Sequence, residues 1–304
     1  MSLATFVTVD VFTRQKYAGN QLAIVHVPAE GLTQDQKQAI AREFGYSETT
    51  FVHPQKDGGK NEWVVDIFTL DQELPFAGHP TIGTAIHLLS PLAGHGARTV
   101  SGSFNLKAGP VQLTYDAIEK TAEAAIPHNV HVHKARYSST ELMKLQPKVG
   151  RLPDQSPVVS IVAGMTYVLA ELDSLDSLTF VNPTPYPIEP QLDGGRNESF
   201  VGCYFYVLQS DDVGDGVIRL RTRMIESCVG EDPATGSAAC TLACYLAMQQ
   251  RKPGTTSRYK ITQGVEMGRR SEIGVVVTTD TSGKIQSVRL SGAAVKVLEG
   301  KLSL

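Results

Sequence analysis

Long apolar runs, a cysteine framework and a surplus of charge of one sign are all missing from this 304-residue chain. No stretch reaches the roughly 18 consecutive apolar residues that a membrane-spanning helix needs. The four cysteines, Cys203, Cys228, Cys240 and Cys244, all lie in the C-terminal part and form no CxxC pair, so no disulfide network spans the chain. Met1 to Asp10 alternates like a strand and does not resemble a secretory leader. With reduced thiols the expectation is a cytoplasmic protein, which leaves the sequon Asn197-Glu198-Ser199 little weight. A formal net charge of −3 and a pI near 6.2 exclude the basic surface that nucleic acid requires and a polybasic membrane anchor. GxGxxG, P-loop and GxSxG patterns are absent, which removes the usual support for nucleotide-binding and serine-hydrolase readings.

What is present suits two domains. The chain is long for one, and 41% hydrophobic residues allow each half a core. Short runs rich in Val, Ile, Phe and Tyr predict strands at 6–12, 21–27, 62–69 and 111–115, then at 158–162, 167–172, 203–208, 217–221, 274–278 and 285–290. Thr33 with Gln36 and Ser138 with Glu141 fit capping boxes, and Gly45 fits a helix stop after Phe44. Two further helices, 80–89 and 237–250, are apolar nearly all round, as helices inside a protein are. Pro80 suits a first helical turn, and Arg251-Lys252-Pro253-Gly254 a stop. The recurrence of many strands with one amphipathic and one buried helix points to a duplicated α+β domain. Residues 1–127 and 135–304 form the two copies, with 128–134 as linker.

The starts of the two buried helices carry the most chemistry. Pro75-Phe76-Ala77-Gly78-His79-Pro80 and Glu231-Asp232-Pro233-Ala234-Thr235-Gly236-Ser237 each put glycine and a polar side chain at a helix N-terminus, where N–H groups and the helix dipole favour an anion. Ordinary capping is the plainer alternative for either segment alone. Glu48, in Tyr46-Ser47-Glu48-Thr49-Thr50-Phe51, sits in a β-branched and aromatic stretch. It is either a general acid/base with a raised pKa or an edge charge facing water. His79 is a hydrogen-bond donor, a proton shuttle or a cap, and Asp232 an orienting carboxylate or a cap. His128, His131 and His133 are read as solvated linker residues and not as metal ligands, since no carboxylate or thiol cluster is near them in sequence. Cys240 and Cys244 share a helix face and read as core.

Five segments in colinear order resemble the PhzF-like phenazine-biosynthesis family. They are Asp10-Val11-Phe12-Thr13 with Tyr17-Ala18-Gly19-Asn20-Gln21-Leu22-Ala23; Ser47-Glu48-Thr49 with Phe51; Glu73-Leu74-Pro75-Phe76-Ala77-Gly78-His79; Glu231-Asp232-Pro233-Ala234-Thr235-Gly236-Ser237-Ala238; and Gln263-Gly264-Val265-Glu266-Met267-Gly268-Arg269. The resemblance implies a fold similar to diaminopimelate epimerase, with two homologous domains, each a mixed, barrel-like sheet around a central helix, and a site between them. It implies action without metal or organic cofactor, a small carboxylated substrate bearing an amino or hydroxy group, and a homodimer. By the same resemblance Glu48 is the acid/base, His79, Asp232 and Ser237 its supporting polar residues, Gly78 and Gly236 the glycines whose amides meet the ligand, and Asn20 a further binding residue. The sequence departs from the family at Gln21, at Pro80 and at Met224-Ile225-Glu226-Ser227. No cysteine occupies either helix start, so a two-thiol racemisation is not open to it. The expected activity is a cofactor-independent proton-transfer isomerisation. The rivals are epimerisation of a small amino or hydroxy acid, and a binding protein that keeps the fold without catalysis.

Overall fold

The structure is a computed structural model that describes residues 3–55, 61–94, 98–194, 200–209, 214–250 and 252–304. The sequon at 197–199 and Arg251 of the helix stop lie outside the described residues. The chain divides into two compact units, Met1–Ala125 with Leu290–Leu304, and Ile126–Arg289.

In the first unit, alternating Phe, Val and Thr residues form β1 (Leu3–Val11), which turns back antiparallel into β2 (Asn20–His26). The turn ends at Gly19, whose φ is 68°. A Cβ there would stand 2.2 Å from the Val11 carbonyl oxygen, so only glycine fits. Helix α1 (Gln34–Phe44) starts at a complete capping box. The Gln36 N–H donates to Thr33 Oγ1 at 3.2 Å, and the Thr33 N–H donates to Gln36 Oε1 at 2.9 Å. Gly45 ends it in the left-handed region. Its inner face joins a core of Ala4, Val25, Phe51 and Phe68, and the Phe44 ring meets Phe6 edge-on at 5.1 Å. Thr33→Ala is expected to lower stability by about 1 kcal/mol, the usual worth of such a cap, seen as a lower urea midpoint at unchanged slope.

β3 (Thr49–Val52) runs parallel to β2, and β4 (Glu62–Phe68) antiparallel to β3. The short β5 (Glu73–Leu74) pairs with β4 and leads into helix α2 (Gly78–Leu89). β6 (Thr99–Leu106) then runs parallel to β4, followed by the antiparallel β7 (Gly109–Asp116) and β8 (Thr121–Ala125). Helix α2 packs against β1, β2, β3, β6, β7 and β8 and is the centre of the unit. Small residues permit this. A Cβ on Gly83 would come within 2.7 Å of Leu22 and Val11 side-chain carbons.

The second unit opens with β9 (His131–Ser138) and α3 (Ser139–Leu145), the latter started by the capping box of Ser138 and Glu141. Then come β10 (Gln155–Val162), β11 (Met165–Glu171), α4 (Leu175–Thr179), β12 (Phe200–Leu208), β13 (Val217–Glu226), β14 (Gly230–Asp232), α5 (Gly236–Gln249), β15 (Thr256–Gln263), β16 (Ser271–Thr279) and β17 (Ile285–Gly292), whose residues from Leu290 on belong to the first unit. The pairing repeats that of the first unit. β10–β11 is antiparallel, β11–β12 parallel, β12–β13 and β13–β14 antiparallel, β13–β15 parallel and β15–β16 antiparallel. Helix α5 is the central one, packed on β10, β11, β15 and β16.

The last strand, β18 (Ala294–Ser303), pairs with β1 along its length, which places the C-terminus in the first unit. Residues 131–134 of the predicted linker lie instead in β9, where His131 and Val132 pair with Ser160 and Val159 of β10. The architecture is thus mixed α+β, with much sheet and few helices. Among the described residues no helix is long and apolar enough to cross a membrane.

Candidate active site

In the first unit, sheet register decides where Glu48 points. β2 and β3 are parallel, with Ala23 opposite Thr49, so Asn20 and Glu48 lie toward the same end of neighbouring strands. Side chains alternate along a strand. Thr50 faces α2, its Oγ1 lying 2.9 Å from Thr84 Oγ1, and Glu48, two residues earlier, turns the same way. His79 is the second residue of α2. Its Nε2 lies 3.6 Å from Glu48 Oε2, with side-chain exposures of 6% and 17%. Burial pushes the Glu48 carboxyl up to about 7, against the opposing effect of a Ser47 hydrogen bond. Glu48 Oε2 has no hydrogen-bond partner among the described residues. A carboxyl titrating near neutrality beside an imidazole can both accept and release a proton at physiological pH.

The helix that carries His79 starts at Ala77, which supplies no side-chain cap. Pro80 has no N–H, and the Thr81 N–H is bound to the Ala77 carbonyl at 3.3 Å. Gly78 and His79 supply the first amides of α2. Asn20 is 3% exposed at the start of β2, just after the left-handed Gly19 turn. The buried Asp10 carboxylate holds that turn from below by accepting the Tyr17 N–H at 2.6 Å.

In the second unit, the segment before α5 is organised by Gln263, the last residue of β15 and itself 0% exposed. Its Nε2 donates to the Asp232 carbonyl at 2.8 Å and to Thr235 Oγ1 at 3.0 Å. Its Oε1 accepts from Tyr204 Oη at 2.9 Å and from the Thr235 N–H at 3.3 Å. Thr235 is the N-cap residue, yet its hydroxyl donates to Asp232 Oδ2 and leaves the first turn of α5 without a side-chain cap. Ser237 follows on the helix and meets the Tyr167 hydroxyl at 2.6 Å. Arg223, 5% exposed, grips Glu231 with two hydrogen bonds of 2.7 and 2.5 Å and so fixes β14, which carries Asp232.

The structure thus joins Glu48 to His79 in one unit and links Asp232 through Thr235 to the helix of Gly236 and Ser237 in the other. It adds Tyr167, Gln263 and Arg223, which sequence reasoning does not single out. Only Gln263 has a signal, as the first residue of the segment running to Arg269. The histidines near 130 require a correction. His133 is 1% exposed and not solvated, and a carboxylate does stand beside it. Asp193 accepts from His131 Nε2 at 2.8 Å. His131, His133 and Asp193 bring their potential metal-ligating atoms within 4.8 Å of one another. As folded they are committed elsewhere: His133 Nδ1 accepts the Asp193 N–H at 3.0 Å and its Nε2 meets Ser160 Oγ at 2.8 Å. Cys240 and Cys244 are fully buried in α5, where burial pushes both thiols up, and they serve as core.

A family profile described as phenazine biosynthesis-like protein matches residues 9–300. An uncharacterised isomerase of Mesorhizobium japonicum is 34% identical over 99% of each chain. A trans-2,3-dihydro-3-hydroxyanthranilate isomerase of Pseudomonas fluorescens is 32% identical over 88% of this chain and 87% of its own. Among solved structures, a phenazine biosynthesis protein of Bacillus anthracis has the same fold, with a TM-score of 0.79 over the whole of both chains at 23% identity.

Proposed function

Because the chain belongs to the phenazine biosynthesis-like protein family, and relatives along nearly its full length are isomerases, we propose that it moves a proton from one carbon to another of a small carboxylic acid bearing an amino or hydroxy group. Glu48 takes the proton from carbon, the freed electron pair shifts a double bond along the substrate, and the same carboxyl returns the proton at the new terminus. His79 steadies the carboxyl and the substrate's polar group. Asp232 and Ser237, the amides of Gly78 and Gly236, and Asn20 bind the acidic and hydroxy groups. Nothing in this sequence of steps calls for a metal or an organic cofactor.

The observation that carries the reading is the pair Glu48–His79, at 3.6 Å and largely out of water, with the carboxyl titrating near 7. A solvated edge charge would titrate near 4.5 and would have no reason to sit against a buried imidazole. The test is incubation with trans-2,3-dihydro-3-hydroxyanthranilate in deuterated water, followed by proton NMR. The expected result is a displaced double bond, with deuterium at the new terminus to the extent that the Glu48 carboxyl exchanges with solvent before it returns the proton. Inversion at a single carbon with no double-bond shift would instead make it an epimerase, and the absence of both a double-bond shift and deuterium incorporation in this acid would remove the proposed substrate class.

A further inference from the structure

We propose that Tyr167 is a positioning residue that turns the Ser237 hydroxyl outward as a donor for the carboxylate of the ligand. This deepens the functional reading above and rests on it for the identity of Ser237 as a binding residue.

The contact between the two hydroxyls, at 2.6 Å, holds one proton, and either oxygen has one to give. Surroundings decide which. Tyr167 is 0% exposed on β11, its ring packed against Phe200 at 5.7 Å. Its hydroxyl has no other hydrogen-bond partner among the described residues. Were Ser237 the donor, the phenol proton would be sealed in the core with no acceptor, the costlier way to leave a buried group. Burial, helped by the nearby Asp232 and Glu226 charges, holds the phenol protonated. So Tyr167 donates, and Ser237 keeps its own proton.

That proton has no inward acceptor either. Serines in helices commonly bond back to the carbonyl four residues earlier. Thr241 does so toward the Ser237 carbonyl at 2.8 Å, whereas Ser237 makes no such bond among the described residues. The neighbouring Thr235 hydroxyl is already spent inward on Asp232 and Gln263. Ser237 is only half-buried, at the positive end of α5 beside first-turn amides that no side chain caps. The first turn of α5 therefore presents donors beside Ser237, which favour a carboxylate over a neutral amide because the anion is the stronger acceptor and the helix dipole attracts it.

Neutron diffraction from deuterium-exchanged crystals of the ligand-free protein reads the proton directly. A deuteron on Tyr167 Oη aimed at Ser237 Oγ is expected, and one on Ser237 aimed at Tyr167 overturns the proposal. A double-mutant cycle reads its consequence, with anthranilate as the carboxylate probe and 2-aminobenzamide as its neutral counterpart, each titrated calorimetrically against the full chain. Tyr167→Phe and Ser237→Ala are each expected to weaken anthranilate binding about five- to tenfold, and the double variant no further than Ser237→Ala alone. Binding of 2-aminobenzamide stays within about twofold throughout, as a purely structural role for Tyr167 would not allow. Additive losses, or equal losses for both probes, overturn the proposal. Absence of anthranilate binding by the wild type overturns the carboxylate role of Ser237, while Glu48 retains its own deuterium test. If Tyr167→Phe fails to fold, the neutron map and the Ser237→Ala titrations still decide.

Discussion

Glu48→Gln is expected to lower turnover about a thousandfold, the middle of the range that a positioned acid/base contributes, while the protein folds as before. Glutamine preserves the shape and hydrogen-bonding reach of the side chain but cannot take a proton from carbon. Its substrate affinity should change little, so the loss falls on kcat, and deuterium incorporation from solvent should fall in step with it. Activity within a few-fold of wild type would dismiss Glu48 as the proton carrier, whatever the fate of the substrate assignment.

The same substitution has an opposite effect on stability, with a definite pH dependence. The folded carboxyl titrates at about 7 and an unburied one at about 4.5. Between those values the native state binds more protons than the unfolded chain. The free energy of unfolding therefore falls as pH rises through that window. The shift corresponds to about 3 kcal/mol lost by pH 8, at 1.36 kcal/mol per pKa unit. The substituted glutamine carries no charge to desolvate. Thermal unfolding should find Glu48→Gln more stable than wild type at pH 8 and equal to it at pH 4. A pH-independent difference would mean that Glu48 is not held in a desolvated site.

Gln263→Ala is expected to be the most destabilising polar substitution, by about 4 kcal/mol, because orphaned buried groups cost about 1–3 kcal/mol each. Four hydrogen bonds end on this amide, with Tyr204, Thr235 twice and Asp232 as partners. Removing it strands a carbonyl and an N–H at the start of α5. Its neighbour Gly264 backs onto the same segment and admits no side chain. At φ 72°, a Cβ there would already be 2.6 Å from the Pro233 carbonyl oxygen. Gln263→Glu tests the donor half alone, since a carboxylate would face the Asp232 carbonyl with no proton to give. Both variants should show a lower chemical-denaturation midpoint and weaker binding of carboxylate probes. A stability change under about 1 kcal/mol in Gln263→Ala would show that water fills the gap and that the network is not structural.

The local signals in the sequence are dependable where the physics is local. Thr33 with Gln36 and Ser138 with Glu141 do cap helices, and Gly45 does stop one, because capping involves only residues three or four apart. The two helices without a polar face do lie at the centre of their units. Strands rich in Val, Ile and Phe are legible as well. β6, β9, β15 and β18 are not, because each carries Ser, Thr, Lys, His or Gly on many positions. Their stability comes from the neighbour they pair with: β18 is held along its whole length by β1, at the opposite end of the chain.

By itself, then, the amino-acid order determined the strongly patterned strands and the helices, the two glycine-led helix starts and the family, since these depend on short-range periodicity, capping and motif. Tertiary structure alone decided that Glu48 is a buried carboxyl against His79 and not a solvated edge charge, that His131 and His133 meet Asp193, and that Tyr167 underpins Ser237. Each of those outcomes joins residues 31 to 70 positions apart. Proton affinity and hydrogen-bond direction follow from what surrounds a group and how much water reaches it, and strand register and helix packing settle both.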